Sequence, residues 1–430
     1  MYDLAVIGAG WAGFNAAVRA AELGKKVALI EKDKLGGTCL NYGCIPTKSL
    51  LQSAKIYSLA KKSSKFGVAF DKAQFNLSAA LKRKQSVVDQ LQSGMQFFAK
   101  SKNINLIQGT AELLSEKELS IGGEAIKSDH ILIAAGSQPI ELPFLKFDGQ
   151  KILSSNDIFN LENIPASLLI IGGGVIGCEF ATIFNTLGSK VSIVELLPQI
   201  LPQEDNEISR RLEACFKKKG ISVSANTDVK TVSLDDYDAV LVSVGRRPCA
   251  EGLGLEKSGI ATDKGRVIVD DYLRTNIPNI YAAGDCTGKI MLAHYASYQG
   301  RLVAENIAKV RAAKRADNEN VPNCIFTDPE IASIGLDEKK AGEQNIEIDI
   351  KKIDFRSNAM AHILDEAEGF IKIICSKKTD EILGACVIGP KATELISVMT
   401  VAVQAHLKAS KLKETIFAHP TLSEIIHEAL

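Results

Sequence analysis

The chain has 430 residues, of which 46% are hydrophobic and 24% charged, the composition of an ordinary globular protein rather than a disordered one. Lysine plus arginine and aspartate plus glutamate each total 51, so the formal net charge is zero. This balance gives no electrostatic reason to expect nucleic acid or a membrane surface as a partner. No run approaches the roughly 20 apolar residues that span a bilayer, and no basic segment precedes the first apolar run. We therefore expect a cytoplasmic protein.

The chain contains nine cysteines, an odd number that cannot pair completely. Structural disulfides are rare in a reducing compartment, so most of these residues are expected to be buried thiols. They are Cys39, Cys44, Cys178, Cys215, Cys249, Cys286, Cys324, Cys375 and Cys386.

Two segments, residues 3–31 and 167–195, repeat one pattern: a short apolar strand, G-x-G-x-x-G, an amphipathic helix, and a second apolar strand ending in glutamate. The glycines allow a tight turn, close approach to a pyrophosphate, and close packing of helix on strand. The terminal acid can accept hydrogen bonds from ribose hydroxyls. The residues are Gly8, Gly10, Gly13 and Glu31 in the first copy and Gly172, Gly174, Gly177 and Glu195 in the second.

One such motif alone is compatible with glycine turns in an ordinary α/β fold. Two copies in register predict an α/β protein that binds two dinucleotides, or one dinucleotide twice. At the second copy, Glu195 would repel a 2′-phosphate, and no Arg or Lys follows it before Arg210. This pattern favours NAD over NADP there.

Cys39 and Cys44 follow the first copy directly, in the stretch GGTCLNYGCIPTK. A helix start and a nearby cation stabilise thiolates, which makes both cysteines candidates for a reducible disulfide. Two buried thiols, or half of a zinc site, are the alternatives. Zinc needs about four ligands with paired spacing, and no second close Cys/His pair occurs, so we expect no metal site.

With this stretch the sequence resembles the pyridine nucleotide-disulfide oxidoreductases, a family that uses FAD and a redox disulfide, and the resemblance covers essentially the whole chain. It implies FAD in the first unit and NAD in the second. It also implies that Cys44 is the flavin-proximal thiol, that Cys39 exchanges with substrate, and that Lys48 and Glu179 form a charged pair beside the flavin. The implied FAD residues are Gly8, Gly10, Gly13, Glu31, Thr38, Lys48, Ala111, Asp285 and Ala293. The implied NAD residues are Gly172, Gly174, Gly177, Glu195 and Gly245.

The C-terminal sequence contains His419 and Glu424. Histidine suits proton transfer near neutral pH, and a carboxylate can orient it. The spacing Thr421-x-x-Glu424 is also that of a capping box for a final helix. The resemblance implies that His419 and Glu424 form the family's catalytic dyad, which reaches the disulfide of the other subunit and makes a homodimer obligatory.

The resemblance implies two Rossmann-like domains followed by an α+β dimerisation domain. We expect a first part of the FAD-binding domain at residues 1–145 and an NAD-binding domain at 146–265. A returning FAD-binding and central segment is expected at 266–316, and the dimerisation domain at 317–430.

Within the family, the segment Leu292-Ala293-His294, the ending HPTLSE and the expected NAD preference are similar to members that oxidise dihydrolipoamide on a lipoylated carrier protein. Such a carrier, of a 2-oxo acid dehydrogenase or glycine cleavage system, is the expected partner. The alternatives are an NAD(P)H-dependent reductase of another small disulfide and a non-catalytic flavoprotein subunit.

Two features depart from the family pattern. Phe417 stands where a further histidine is common. Only residues 226–238 separate two strands of the second unit, where relatives usually carry extra strands. We expect this shortening to expose a sheet edge or alter nucleotide affinity, with dinucleotide binding retained.

Overall fold

The structure, a computed structural model, describes residues 1–69 and 71–430. Its first unit is built on apolar parallel strands that are buried on both faces, as in α/β proteins. The order is β3-β2-β1-β6, and β4, β5 and β6 continue as an antiparallel meander. The elements are β1 Tyr2–Ile7, α1 Trp11–Glu22, β2 Val27–Glu31, α2 Gly37–Asn41, α3 Cys44–Lys62, α4 Leu77–Ser101, β3 Asn105–Gln108, β4 Ala111–Ser115, β5 Glu118–Ile121, β6 Glu124–Ile133 and β7 Ser137–Pro139.

The second unit repeats the parallel strand–helix–strand arrangement, with strand order β11-β10-β9-β12-β8. Its elements are β8 Ile152–Leu153, β9 Ser167–Ile171, α5 Val175–Leu187, β10 Lys190–Val194, α6 Asn206–Lys218, β11 Ser222–Ser224, β12 Ala239–Val242 and β13 Arg246–Pro248. Strand β13 pairs antiparallel with β7, which ties the second unit to the first.

The short segment 226–238 does not leave the edge of the second sheet at β12 open, because β8 pairs with β12 there. The segment forms two 3-10 turns, Val229–Thr231 and Leu234–Asp236. Their apolar side chains pack on one face of the sheet, over buried Leu169 and Val240. The expectation of an exposed edge is therefore wrong at β12, because β8 pairs there in parallel, as β16 pairs with β6 in the first unit, and the apolar turns pack on the sheet.

The chain then returns to the first unit. Strand β16 pairs in parallel with β6, and α7 packs along α1. The elements of this segment are β14 Thr262–Asp263, β15 Arg266–Val267, β16 Ile280–Ala282 and α7 Ala293–Ala308. The contact between α1 and α7 is very close: a Cβ on Gly300 would lie 2.1 Å from the carbonyl oxygen of Ala12.

The C-terminal part is an antiparallel sheet in the order β17-β18-β21-β20-β19, with α10 packed on β18 and β21. Its elements are β17 Asn323–Ile325, β18 Glu330–Gly335, α8 Glu338–Glu343, β19 Ile348–Asp354, α9 Ala359–Ile363, β20 Phe370–Ser376, β21 Ile382–Gly389, α10 Ala392–Gln404, α11 Ala409–Lys413 and α12 Glu424–Ala429. The predicted fold class is confirmed: two Rossmann-like units followed by an α+β part.

Across residues 1–69 and 71–430, no helix is long and apolar enough to cross a membrane.

Candidate active site

A continuous cavity of about 2490 Å³ runs between the two nucleotide units. This volume exceeds the roughly 300–1,000 Å³ of a typical small-molecule site, so the cavity is large enough for two extended cofactors. Most of the predicted FAD and NAD residues line it. They are Gly8, Gly10, Glu31, Thr38, Lys48, Ala111, Asp285 and Ala293 on the first side and Gly172, Gly174, Glu195 and Gly245 on the second.

Gly13 and Gly177, the third glycines of the two motifs, pack helix on strand instead of lining the cavity. A Cβ on Gly13 would lie 1.9 Å from the carbonyl oxygen of Gly8, and one on Gly177 would lie 2.1 Å from that of Gly172. Gly174 differs, because the space around an added Cβ is open. The two glycines therefore have the different surroundings that the motif predicts: Gly177 packs tightly against the strand, and Gly174 leaves space for a ligand to approach.

The two terminal acids make equivalent hydrogen bonds in the two units. Glu31 accepts from the backbone N–H of Ala9 at 2.7 Å, and Glu195 accepts from that of Gly173 at 2.6 Å. The second carboxylate oxygen of Glu195 accepts from Leu197 N–H at 2.7 Å. Each carboxylate oxygen keeps a lone pair for a ribose hydroxyl. The backbone bonds therefore orient each acid toward the position expected for an adenosine ribose.

Cys44 is the first residue of α3, Cys44–Lys62. A hydrogen bond from Cys39 lowers the pKa of Cys44 to about 7, and Lys48 acts in the same direction. The hydrogen bond with Cys44, together with burial, raises the pKa of Cys39. The structure holds both as free thiols, and Cys44 is the more acidic of the two.

Lys48 and Glu179 meet as predicted. The Lys48 Nζ lies 2.8 Å from both carboxylate oxygens of Glu179, and Glu179 is only 3% exposed. The backbone N–H of Phe326 donates to the same carboxylate at 3.0 Å, and Lys48 Nζ lies 4.7 Å from the centre of the Phe326 ring. All three structural parts of the chain therefore meet beside Cys44.

Sequence reasoning missed Arg246, which begins β13. Its Nε donates to Ser137 Oγ at 2.8 Å and its Nη2 to the Ser137 carbonyl at 2.7 Å, while Ser137 Oγ donates to Asp285 at 2.5 Å. Through Ser137, the guanidinium of the second unit is thus linked to Asp285, one of the implied FAD residues. The signal in the sequence was a pair of arginines directly after the strand-closing Gly245.

His419 and Glu424 also meet, with 2.9 Å between His419 Nδ1 and Glu424 Oε1. The other oxygen, Oε2, accepts from Thr421 N–H at 2.8 Å. These two hydrogen bonds hold the pKa of Glu424 below its usual range, the Thr421 bond being the larger cause. Glu424 therefore makes half of a capping box and orients the histidine at the same time.

In the single chain His419 lies outside the large cavity, with its side chain 71% exposed. Ile416, three residues earlier in the chain, is 96% exposed. Phe417, the departure from the family pattern, packs into the core of the C-terminal part, with its ring 5.8 Å from that of His427. The structure thus joins the dyad but does not bring it to the cysteines of its own chain.

The first side of the cavity fits FAD. The backbones of Gly10 and Gly37 are in contact, since a Cβ on Gly37 would lie 2.9 Å from the Gly10 Cα. Glycine at Gly284, where φ is +78°, keeps the chain close to Ala12. A glycine-lined cradle at the start of α1 is the arrangement that a pyrophosphate requires.

Within the described part of the chain, no group of three or more His, Cys, Asp or Glu side chains is arranged to hold a metal ion.

Comparisons with known proteins agree with this geometry. Residues 2–300 match the model of the family "pyridine nucleotide-disulphide oxidoreductase", and residues 321–430 match the dimerisation domain of that family. The latter match supports a homodimer.

Among curated relatives, a dihydrolipoyl dehydrogenase of Bacillus subtilis is 42% identical, over 99% of this chain and 97% of the relative. One of Chlamydia trachomatis is 42% identical, over 100% and 96%.

Two solved structures are similar over nearly the whole of both chains. LpdA from Mycobacterium tuberculosis has a TM-score of 0.92 and 28% identity, over 99% of this chain and 98% of its own. The HOCl-induced flavoprotein disulfide reductase RclA from Escherichia coli has a TM-score of 0.88 and 30% identity, over 100% and 99%. The chain therefore belongs to the pyridine nucleotide-disulphide oxidoreductases, and its cofactors are FAD and NAD.

Proposed function

We propose that this protein oxidises dihydrolipoamide to lipoamide with NAD, through a redox disulfide between Cys39 and Cys44 and through FAD. The observation that carries the proposal is the meeting of Cys44, Lys48 and Glu179 where the two nucleotide sides of the cavity join. The full-length relatives named dihydrolipoyl dehydrogenase favour this substrate over other small disulfides. The bound FAD supplies the two-electron chemistry between the dithiol and NAD.

The two cysteines have different roles because their pKa values differ. The first substrate thiolate attacks Cys39 Sγ, the Cys39–Cys44 bond breaks, and the electron pair leaves on Cys44 Sγ. A thiol of low pKa leaves faster, and the pKa of Cys44 is lowered to about 7. Lys48 holds the charge on that sulfur, while Glu179 fixes the position of the lysine.

His419 acts as the base that takes protons from the substrate thiols, oriented by Glu424 Oε1. Because His419 is exposed and lies outside the cavity of its own chain, we assign it to the disulfide of the other subunit in a homodimer. Exposed apolar side chains in the C-terminal part, Val401 at 67% and Ile416 at 96%, supply surface for that contact.

We further propose that the residues found in the cavity bind the cofactors as the family pattern implies. Glu31 and Glu195 take the adenosine riboses, and Asp285 takes the ribityl chain. Thr38, Ala111 and Ala293 line the FAD side, and Gly245 lines the NAD side. The buried Glu195 carboxylate disfavours a 2′-phosphate, so NAD is preferred over NADP.

The partner protein is a lipoylated carrier, because in a multienzyme complex the dihydrolipoamide substrate is attached to such a carrier. We place the protein in the cytoplasm, where a reducing environment suits its seven thiols other than Cys39 and Cys44.

One comparison tests the proposal. The purified holoenzyme is assayed for NAD reduction with dihydrolipoamide, and for NADH and NADPH oxidation with a panel of other small disulfides. Fast turnover with dihydrolipoamide and NAD is expected. Absence of that turnover, with fast reduction of another disulfide, would instead assign the chain to a disulfide reductase. Absence of both would leave a non-catalytic flavoprotein.

A further inference from the structure

Phe144 is a large apolar side chain that is 52% exposed, in the segment between β7 and β8. The other large apolar residues near it, Leu142, Leu145 and Phe147, pack on the face of the second sheet. The backbone N–H of Leu145 donates to the Leu142 carbonyl at 3.1 Å and closes a tight turn. Phe144 stays outside that packing and lines the large cavity. An aromatic ring in a cavity wall is available for contact with a ligand.

The short segment 226–238 supplies a partner for this ring. Lys230 lies in the 3-10 turn Val229–Thr231, and its Nζ lies 4.9 Å from the centre of the Phe144 ring. The Asp228 carboxylate caps the turn by accepting from the Lys230 N–H at 3.0 Å. A cation within about 6 Å of a ring centre is attracted to the ring face. Lys230, which also lines the cavity, therefore stabilises the position of the ring.

The turn that carries Lys230 is attached to the chain around Glu195. The backbone N–H of Thr227 donates to the Glu195 carbonyl at 3.0 Å, and that of Asn226 donates to the Leu197 carbonyl at 3.0 Å. Thr227, Glu195 and Lys230 all line the cavity. The lysine and the ring it contacts therefore lie at the same end of the cavity as the acid that the proposed function gives to the adenosine ribose of NAD.

The wall of the cavity at this end is largely apolar. Leu196 and Leu197 directly follow Glu195, are both exposed, and line the cavity together with Val229 and Phe144. Adenine has two flat faces that pack well on aromatic and aliphatic side chains, whereas a ribose needs hydrogen-bond acceptors. A carboxylate bordered by apolar side chains is therefore suited to an adenosine group.

We propose that Phe144, held in place by Lys230, packs against the adenine of bound NAD, and that this pair sets the affinity of the chain for the adenosine half of the cofactor. The proposal rests on the assignment of Glu195 to the adenosine ribose in the proposed function. It also gives a role to the segment 226–238, which departs from the family pattern: its short turn brings Lys230 to the Phe144 ring.

A 2′-phosphate is the alternative ligand for the Lys230 ammonium. The buried Glu195 carboxylate would repel such a phosphate, and the ammonium already contacts the Phe144 ring. The charges at this end of the cavity therefore favour the adenine of NAD over the 2′-phosphate of NADP.

Two half-ligands separate the adenosine end of the cavity from the nicotinamide end. ADP-ribose is NAD without its nicotinamide ring and cannot accept a hydride, so its dissociation constant on the oxidised holoenzyme is measured by calorimetry without turnover. Reduced nicotinamide mononucleotide lacks the adenosine, and its second-order rate of flavin reduction reports on the nicotinamide end. Both are measured for the parent protein, Phe144→Ala and Lys230→Met.

We expect Phe144→Ala to weaken ADP-ribose binding about tenfold, because the adenine loses its aromatic contact. Lys230→Met should weaken it about threefold, because the ring loses the cation that holds it. Phe144→Tyr keeps an aromatic ring and should stay within about twofold of the parent. The rate with reduced nicotinamide mononucleotide should stay within about twofold in all three variants, since that ligand has no adenine.

Matched controls come from outside the cavity. Phe97 is an exposed phenylalanine on α4, and Phe97→Ala should bind ADP-ribose as the parent does. Lys151 reaches the short segment through Asp235, at 3.5 Å, and Lys151→Met should also leave the affinity unchanged. The melting temperature of each variant is measured in parallel. If Phe144→Ala fails to fold, Phe144→Leu replaces it, with an expected loss of about threefold.

Parent-like affinity for ADP-ribose in Phe144→Ala or in Lys230→Met would overturn the proposal. So would an equal loss for both half-ligands, which would indicate general damage to the cavity. A loss in Lys230→Met that is confined to 2′-phospho-ADP-ribose would assign the lysine to a 2′-phosphate and would also contradict the proposal.

Glu195→Gln distinguishes this failure from a failure of the proposed function. If Glu195→Gln weakens ADP-ribose binding while Phe144→Ala does not, the proposal for the pair is wrong and the assignment of Glu195 to the ribose stands. If Glu195→Gln binds as the parent does, that assignment is wrong, and the proposal for the pair falls with it. The titration contains no dithiol, so its result is independent of which disulfide substrate the enzyme uses.

Discussion

Lys48 and Glu179 lie 131 residues apart in the sequence, yet the ammonium of Lys48 is 2.8 Å from both carboxylate oxygens of Glu179. One side chain comes from the helix that begins with Cys44, and the other from the helix of the second glycine motif. The pair therefore joins the helix that begins with Cys44 to the helix of the second glycine motif and spans the two nucleotide units.

The first prediction concerns this lysine. Lys48 lowers the pKa of Cys44, so Lys48→Met should raise the pKa of this thiol. The thiolate is the form present above the pKa, so less of it should remain at neutral pH. In a Cys39→Ser holoenzyme we expect Cys44 to react with iodoacetamide about threefold to tenfold more slowly at pH 7.

Lys55→Met is its control. Lys55 lies on the same helix, half exposed, and pairs with Glu366 at 3.5 Å. It should leave the alkylation rate of Cys44 unchanged. Equal alkylation rates of Cys44 in Lys48→Met and in the parent protein would mean that Lys48 does not lower the pKa of Cys44.

Glu424→Gln tests the dyad. Glutamine can still accept from Thr421 N–H, so α12 should remain folded, but the charge that orients His419 is lost. We expect kcat with dihydrolipoamide to fall about 10-fold to 100-fold, with little change in the melting temperature. Glu428→Gln, on the same helix and bonded only weakly to Ser357 at 3.4 Å, should retain normal turnover. A Glu424→Gln enzyme with full activity would restrict this residue to capping.

Two of the three glycines of the second motif, Gly174 and Gly177, should separate the effect on nucleotide binding from the effect on folding. The space around a Cβ at Gly174 is open, so Gly174→Ala should fold normally but hinder the approach of a pyrophosphate. We expect a KM for NAD raised at least about tenfold, with an unchanged urea midpoint. Gly177→Ala places a methyl group 2.1 Å from the Gly172 carbonyl oxygen, and should destabilise the protein by about 1–3 kcal/mol. Similar effects of the two substitutions on stability would contradict the assignment of Gly174 to nucleotide binding and of Gly177 to packing.

Lys372 supplies a test of stability away from the chemistry. Its side chain is 2% exposed, and its Nζ lies 2.8 Å from Asp205 and 2.6 Å from Glu338. Lys372→Met leaves the buried Asp205 carboxylate without its cation, so we expect a loss of about 3–5 kcal/mol in urea unfolding. Lys352→Met removes a half-exposed lysine that pairs with Glu207 at 2.9 Å and should cost less than about 1 kcal/mol. Equal losses would show that burial of the pair is unimportant.

Sequence reasoning recovered most of the candidate site but misjudged features that depend on distant packing. The glycines, the terminal acids and the cysteine pair follow from short motifs with regular spacing, and they lie where the motifs predict. Arg246 escaped notice because its partners, Ser137 and Asp285, come from other parts of the chain. The expected open edge at the second sheet was wrong because apolar turns and β8 cover positions that a strand count leaves empty.

By itself, the sequence indicated that the chain has two dinucleotide units, and it predicted which residues approach the phosphates and riboses and which two of nine cysteines form the redox pair. These are local properties, set by residue type and spacing along one strand and one helix. Only the tertiary structure decided that the surroundings of Cys44 lower its pKa while those of Cys39 raise it, and that Glu424 serves both His419 and Thr421. Those relationships depend on how helix starts and side chains from separate elements pack together, and no spacing in the sequence specifies that packing.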